Sequence, residues 1–171
     1  MKRIFLSLLS VIFLTLISNA QKFALVDIEY ILKNIPSYEI ANQQLNQLSQ
    51  NWQKEIEAKQ NEAEEAYQKY QTEYIFLTDE QKRQREDEVT SIEKAAATLR
   101  YKYFGPDGEL SQKRQVLIQP IQDEIYNAIK KLADEKGYQA IIDRASASDI
   151  IYASPKIDVS NDVLARLGYS R

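Results

Sequence analysis

The sequence predicts a mostly helical α+β protein: a long antiparallel helical hairpin with a small β-body built from strands at both chain ends. Three observations predict it. Residues 37–136 carry a narrow apolar stripe at helical spacing on an otherwise polar surface. Short apolar and β-branched runs flank that stretch on both sides. Two breaks, at Thr78 and at Gly105-Pro106-Asp107-Gly108, divide the helical stretch into segments.

The chain opens on a leader. Lys2 and Arg3 precede an apolar run from Ile4 to Ile17, and Ser18-Asn19-Ala20 puts small residues at the −3 and −1 positions of a cleavage site. At roughly fourteen residues the run is too short to span a bilayer, which takes about twenty. A secretory signal peptide over residues 1–20 is therefore expected, with the mature protein starting at Gln21 or Lys22. No cysteine follows Ala20, so a lipid-anchored form is excluded. The net charge of −3 becomes −5 in the mature chain, because the leader holds two basic residues and no acidic one. That balance gives no support to nucleic-acid binding, which calls for a basic patch or stripe.

Cysteine and histidine are both absent. The first removes every disulfide; the second removes the commonest metal ligand, the usual general base and every imidazole triad. Four glycines leave little material for phosphate-cradling loops. No catalytic residue, metal site or cofactor is expected, and the chain is read as a non-enzyme.

Lys22-Phe23-Ala24-Leu25-Val26-Asp27 suits a mostly buried strand, after which Asp27 can cap a short helix carrying Ile28, Ile31 and Leu32 and ended by Pro36. The outward helix then follows Ala41, Leu45, Leu48, Trp52, Ile56, Lys59, Ala63, Ala66, Tyr70, Tyr74 and Leu77. These steps average about 3.6 residues, the period of a straight helix. Such a helix can bury only one seam. Thr78 with Gln81 forms a capping box for a returning helix through Val89, Ile92, Ala96, Leu99 and Tyr103. After the glycine-flanked break, Leu110, Leu117, Ile121, Ile125, Ile129 and Leu132 continue the helix, with Pro120 expected to kink it. Lys136 and Gly137 suit a C-terminal cap. Tyr138 to Asp143 and Ile150 to Ala153 then read as two strands, and Ser160 as the N-cap of a last helix with Val163, Leu164 and Leu167 inward. The expected division is a leader at 1–20, a β-body from 21–36 with 137–171, and an arm at 37–136.

This order resembles the Skp/OmpH family of periplasmic chaperones. The resemblance is carried by Phe23-Ala24-Leu25-Val26-Asp27, Phe104-Gly105-Pro106-Asp107-Gly108-Glu109-Leu110, Pro120-Ile121-Gln122-Asp123, Gly137-Tyr138 with Ile141-Ile142-Asp143, and Asp158-Val159-Ser160 ahead of Val163-Leu164. It implies a periplasmic homotrimer whose subunits share strands in a central body. Helical arms would surround a cavity holding unfolded outer-membrane proteins without ATP. The undersized strand set agrees, since so few strands make a poor core for one chain alone. The best-known relatives are strongly basic, whereas this mature chain is acidic, so no residue is carried over for lipopolysaccharide or an anionic membrane surface.

Tyr67, Tyr70 and Tyr74 recur near the turn and are followed by Phe76 and Leu77. They read either as a broad, sequence-tolerant client contact or as the seam between the two helices. Phe23, Leu25, Val26, Ile141, Ile142 and Ile151 read as body and trimer core. Two other classes compete: a structural periplasmic spacer or pump adaptor, which should show lipoyl-like, glycine-rich halves, and a carboxylate hydrolase, disfavoured because the acids lie on exposed helix faces.

Overall fold

The computed structural model of the protein describes residues 22–169, and the signal peptide expected at 1–20 lies outside them. Strand β1 (Lys22–Val26) leads into helix α1 (Ile28–Lys33), the long helix α2 (Pro36–Glu73), a single 3-10 turn (Tyr74–Phe76) and helix α3 (Asp79–Phe104). Helix α4 (Glu109–Lys136), strand β2 (Tyr138–Asp143), a second 3-10 turn (Pro155–Ile157) and helix α5 (Ser160–Arg166) complete it. The described residues divide into two compact units, Ile35–Glu124 and the two chain ends up to Asn34 and from Ile125.

In the unit made of the chain ends, β1 and β2 pair in parallel, with Ala24 opposite Ile141, Leu25 opposite Ile142 and Val26 opposite Asp143. Parallel strands need a long crossover, and here everything between Val26 and Tyr138 serves as one. Ala24, Leu25 and Val26 are buried, as are Ile31 of α1 and Val163 and Leu164 of α5. Gly137 takes a φ of 71° between α4 and β2, a left-handed conformation that suits the expected C′ residue.

Three expectations need correcting. Ile150 to Ala153 does not form a strand. The second edge of β1 is already occupied, since the Leu25 carbonyl accepts from the Val159 N–H at 2.8 Å and Leu25 bridges to Asp158. β-branched residues form a strand only where an open edge meets them. Pro36 does not close the first helix; it opens α2 at the first helical position, where its missing N–H costs nothing. Ser160 is the first residue of α5 rather than its side-chain cap. Its backbone N–H donates to Asp158 Oδ1 at 2.9 Å, so the carboxylate two residues earlier satisfies the helix start.

The other unit is the hairpin. The 38 residues of α2 span roughly 57 Å at helical rise. Its buried positions are Ala41, Leu45, Ile56, Ala63 and Tyr70, and α3 answers with Val89, Ala96 and Tyr103. The stripe is narrow on both helices, so packing along one seam buries it, while Ile40, Tyr67 and Tyr101 lie off it and stay exposed. The contacts show the register: Tyr70 bonds Glu86, Arg85 pairs with Glu73, and Trp52 stacks on Tyr103. Each pair straddles a midpoint near Thr78, which defines an antiparallel pair folded at that residue. Both bonds of the Thr78–Gln81 capping box are formed. Helix α4 runs through Pro120 as one helix.

Candidate functional site

The turn of the hairpin exposes more apolar surface than its polar flanks would suggest. Tyr74, Ile75 and Phe76 form one 3-10 turn after α2, and Leu77 is extended ahead of the Thr78 cap. A 3-10 turn advances the chain by three residues per revolution, so side chains here leave the seam that the α-helical period maintained. Ile75 and Phe76 are each 81% exposed, while Leu77 is half-buried. Tyr74 remains half in the seam, edge-on to Tyr70 at 5.5 Å, with Lys82 Nζ 4.4 Å from its ring centroid.

The five aromatic and apolar candidates near the turn therefore separate. Tyr70 is buried between the helices and its hydroxyl donates to Glu86 Oε1 at 2.5 Å. That bond, followed by burial, pushes the phenol up to about 12. Tyr67 is exposed on the wall of a groove of about 480 Å³ between α2 and α3. The buried Ala63 and Ala96 lie at its base, and Gln60, Glu64, Glu93, Ala97 and Arg100 complete its lining. Phe76 is the most open of the five. Ile75, equally exposed, was missed by sequence reasoning because it follows Tyr74 off the stripe and its exposure depends on the 3-10 turn.

Further down the hairpin Trp52 lies parallel to Tyr103, with centroids 4.8 Å apart and planes 6° apart, and meets Phe104 edge-on at 6.3 Å. The Tyr103 hydroxyl donates to Glu55 at 2.8 Å, which raises its pKa. This cluster is a fastening between α2 and α3.

In the chain-end unit, Leu25 and Val26 are buried within the protomer, Phe23 and Ile142 are about half-exposed, Ile141 is partly buried, and Ile151 is fully exposed beside the exposed Tyr152. A polar network, unforeseen in the sequence, ties this unit together. Arg144 pairs with Asp27 at 3.1 Å and with Asp158 at 3.2 Å. Ser160 Oγ donates to Asp158 at 2.6 Å and accepts the Asp27 N–H at 2.8 Å. The Tyr30 N–H bonded to Asp27 is the main cause holding that carboxyl below its ordinary value, opposed by desolvation and aided by Arg144. Both carboxylates claim Arg144, so the shallow groove over it offers no unpaired cation to an anionic ligand. Among the described residues no acidic cluster is placed to hold a metal ion, and no helix is long and apolar enough to cross a membrane.

Residues 22–167 match the family model described as Outer membrane protein (OmpH-like). Among solved structures, the chain is similar to an OmpH-like protein from Caulobacter crescentus, proposed to be an outer membrane chaperone. The TM-score is 0.67 at 12% identity, over 86% of this chain and 83% of that one. At that identity the likeness concerns the fold. No curated protein is significantly similar in sequence.

Proposed function

This chain belongs to the OmpH-like family, a chaperone family, and on that premise we propose that it is an ATP-independent periplasmic holdase. It binds unfolded outer-membrane proteins as a homotrimer, between helical arms. The observation that carries the reading is the adjacent pair Ile75 and Phe76, each 81% exposed at the turn of a mostly polar hairpin. Large apolar side chains left open together on a polar element mark an interaction surface. A holdase needs such contacts to be weak and many, which suits broad apolar side chains better than a shaped pocket. The self-association reading draws on Ile142, Ile151 and Tyr152, which one chain leaves uncovered, and on a two-stranded sheet too small to stand as a core. Export to the periplasm draws on the leader sequence.

The test is dilution of a urea-denatured outer-membrane barrel protein into the mature chain, without nucleotide or metal, followed by light scattering. Suppression of aggregation near one trimer per client is expected. No suppression at several-fold excess and low salt would leave a structural spacer as the better reading.

A further inference from the structure

The hairpin turn is not only apolar; its charges are arranged asymmetrically. Two of the three basic groups there, Lys82 and Arg85, are already engaged, and Arg83 is exposed. Arg85 sits between Glu73 at 3.6 Å and Glu88 at 2.9 Å, and Lys82 lies over the Tyr74 ring with its side chain only 25% exposed. Glu73 ahead of the turn is paired with Arg85, but Asp79 and Glu80, which follow it, have no such close partner. Asp79 is 97% exposed and touches Lys82 only at 3.9 Å, and Glu80 has no cation partner among the described residues. The imbalance extends along the whole unit: Ile35–Glu124 holds eleven basic and seventeen acidic side chains, a net charge of −6. The described part of the other unit is neutral, with eight of each sign.

We propose that the turn is a docking surface for unfolded polypeptide segments in which apolar residues are flanked by lysine or arginine. The inference rests on the holdase reading and names the class of segment it prefers. The apolar part of the segment lies on Ile75 and Phe76, and its cations meet Asp79 and Glu80. Complementary charge around a weak apolar contact governs partner choice and encounter rate more than raw affinity. Segments flanked by glutamate or aspartate meet the same two carboxylates and the negative arm, and are repelled. Exposed pairs are individually weak, so the preference is moderate and falls with salt.

The experiment uses the full mature chain and three fluorescent peptides sharing one apolar core, flanked by lysines, glutamates or serines. At low salt the lysine-flanked peptide should bind roughly fivefold tighter than the serine-flanked one, and the glutamate-flanked one weakest. In molar salt, where the screening length is about 3 Å, the three should converge. Asp79→Asn with Glu80→Gln should abolish most of the preference while leaving the serine-flanked peptide unchanged. Ile75→Ser with Phe76→Ser should weaken all three alike. Circular dichroism identifies any variant that fails to fold, and the salt series on the unmodified chain stands without the variants. Equal affinity for lysine and glutamate flanks, a preference that survives the neutralising pair, or no binding of any peptide would overturn the proposal. Aggregation suppression of a denatured barrel protein, measured in parallel, separates this failure from failure of the holdase reading itself.

Discussion

Asp27 shows how much one side chain can hold. Its Oδ1 caps α1 by accepting the Tyr30 N–H at 2.8 Å, its Oδ2 receives Arg144, and its own N–H is given to Ser160. Because the folded carboxyl sits below its ordinary 3.8, it adds stability above that pH and loses it as pH falls through the depressed value. Asp27→Asn keeps a capping acceptor but removes the charge, so it should cost up to about 1 kcal/mol at neutral pH. The gap from the unmodified chain should close below 3.8; urea unfolding of both proteins across that range reads it directly. Tyr70 titrates the other way. Its raised phenol adds stability that persists to high pH and is lost as pH rises through about 12. Among the 11 tyrosines it should ionise late, and Tyr70→Phe should remove that late step from an absorbance titration.

The hairpin is governed by its seam and its breaks. A side-chain carbon added at Gly108 would stand 2.8 Å from the Tyr103 carbonyl oxygen, and one at Gly105 would stand 2.4 Å from that of Tyr101. Both obstacles are backbone atoms, so the turn must open to admit either. Gly108→Ala should cost about 1–3 kcal/mol by denaturant unfolding, while an exposed substitution such as Asp107→Ala should cost little. Insertions distinguish seam from turn. A Gly-Ser insertion between Leu77 and Thr78 falls outside the seam and should leave helicity nearly unchanged. The same insertion beside Trp52 would rotate one stripe off its partner and break the stack on Tyr103. Equal loss of circular-dichroism signal in both would contradict the seam.

For the whole molecule, the distinction between residues buried by one chain and residues left for another decides how to test assembly. Leu25 is buried within the protomer, so Leu25→Asp should unfold the chain, because an unpaired carboxylate there is costly to bury. Ile151 is fully exposed, so Ile151→Asp should leave the protomer folded and shift a trimer mass toward the monomer. Light scattering beside circular dichroism separates the outcomes. A monomer mass for the unmodified protein would count against the proposed assembly.

The helical hairpin is legible in the chain alone, because narrow stripes of period about 3.6 on polar helices have few ways to be buried. The fold point is legible too, since the Thr78–Gln81 box is a local interaction of four neighbouring residues. Phe76 could be picked out near the turn, but Ile75 could not, because its exposure depends on the 3-10 turn that ends the stripe. Contacts between distant residues were decided only in three dimensions. Nothing local announces that Arg144 will join Asp27 to Asp158, or that Ser160 will tie to Asp27 rather than cap its own helix. Nor could β-propensity say that Ile150 to Ala153 would be left unpaired, since Asp158 and Val159 take the edge of β1. Periodicity and capping are written within a few residues of chain; strand pairing and ion networks join segments more than a hundred residues apart, where only the closed structure chooses among the available partners.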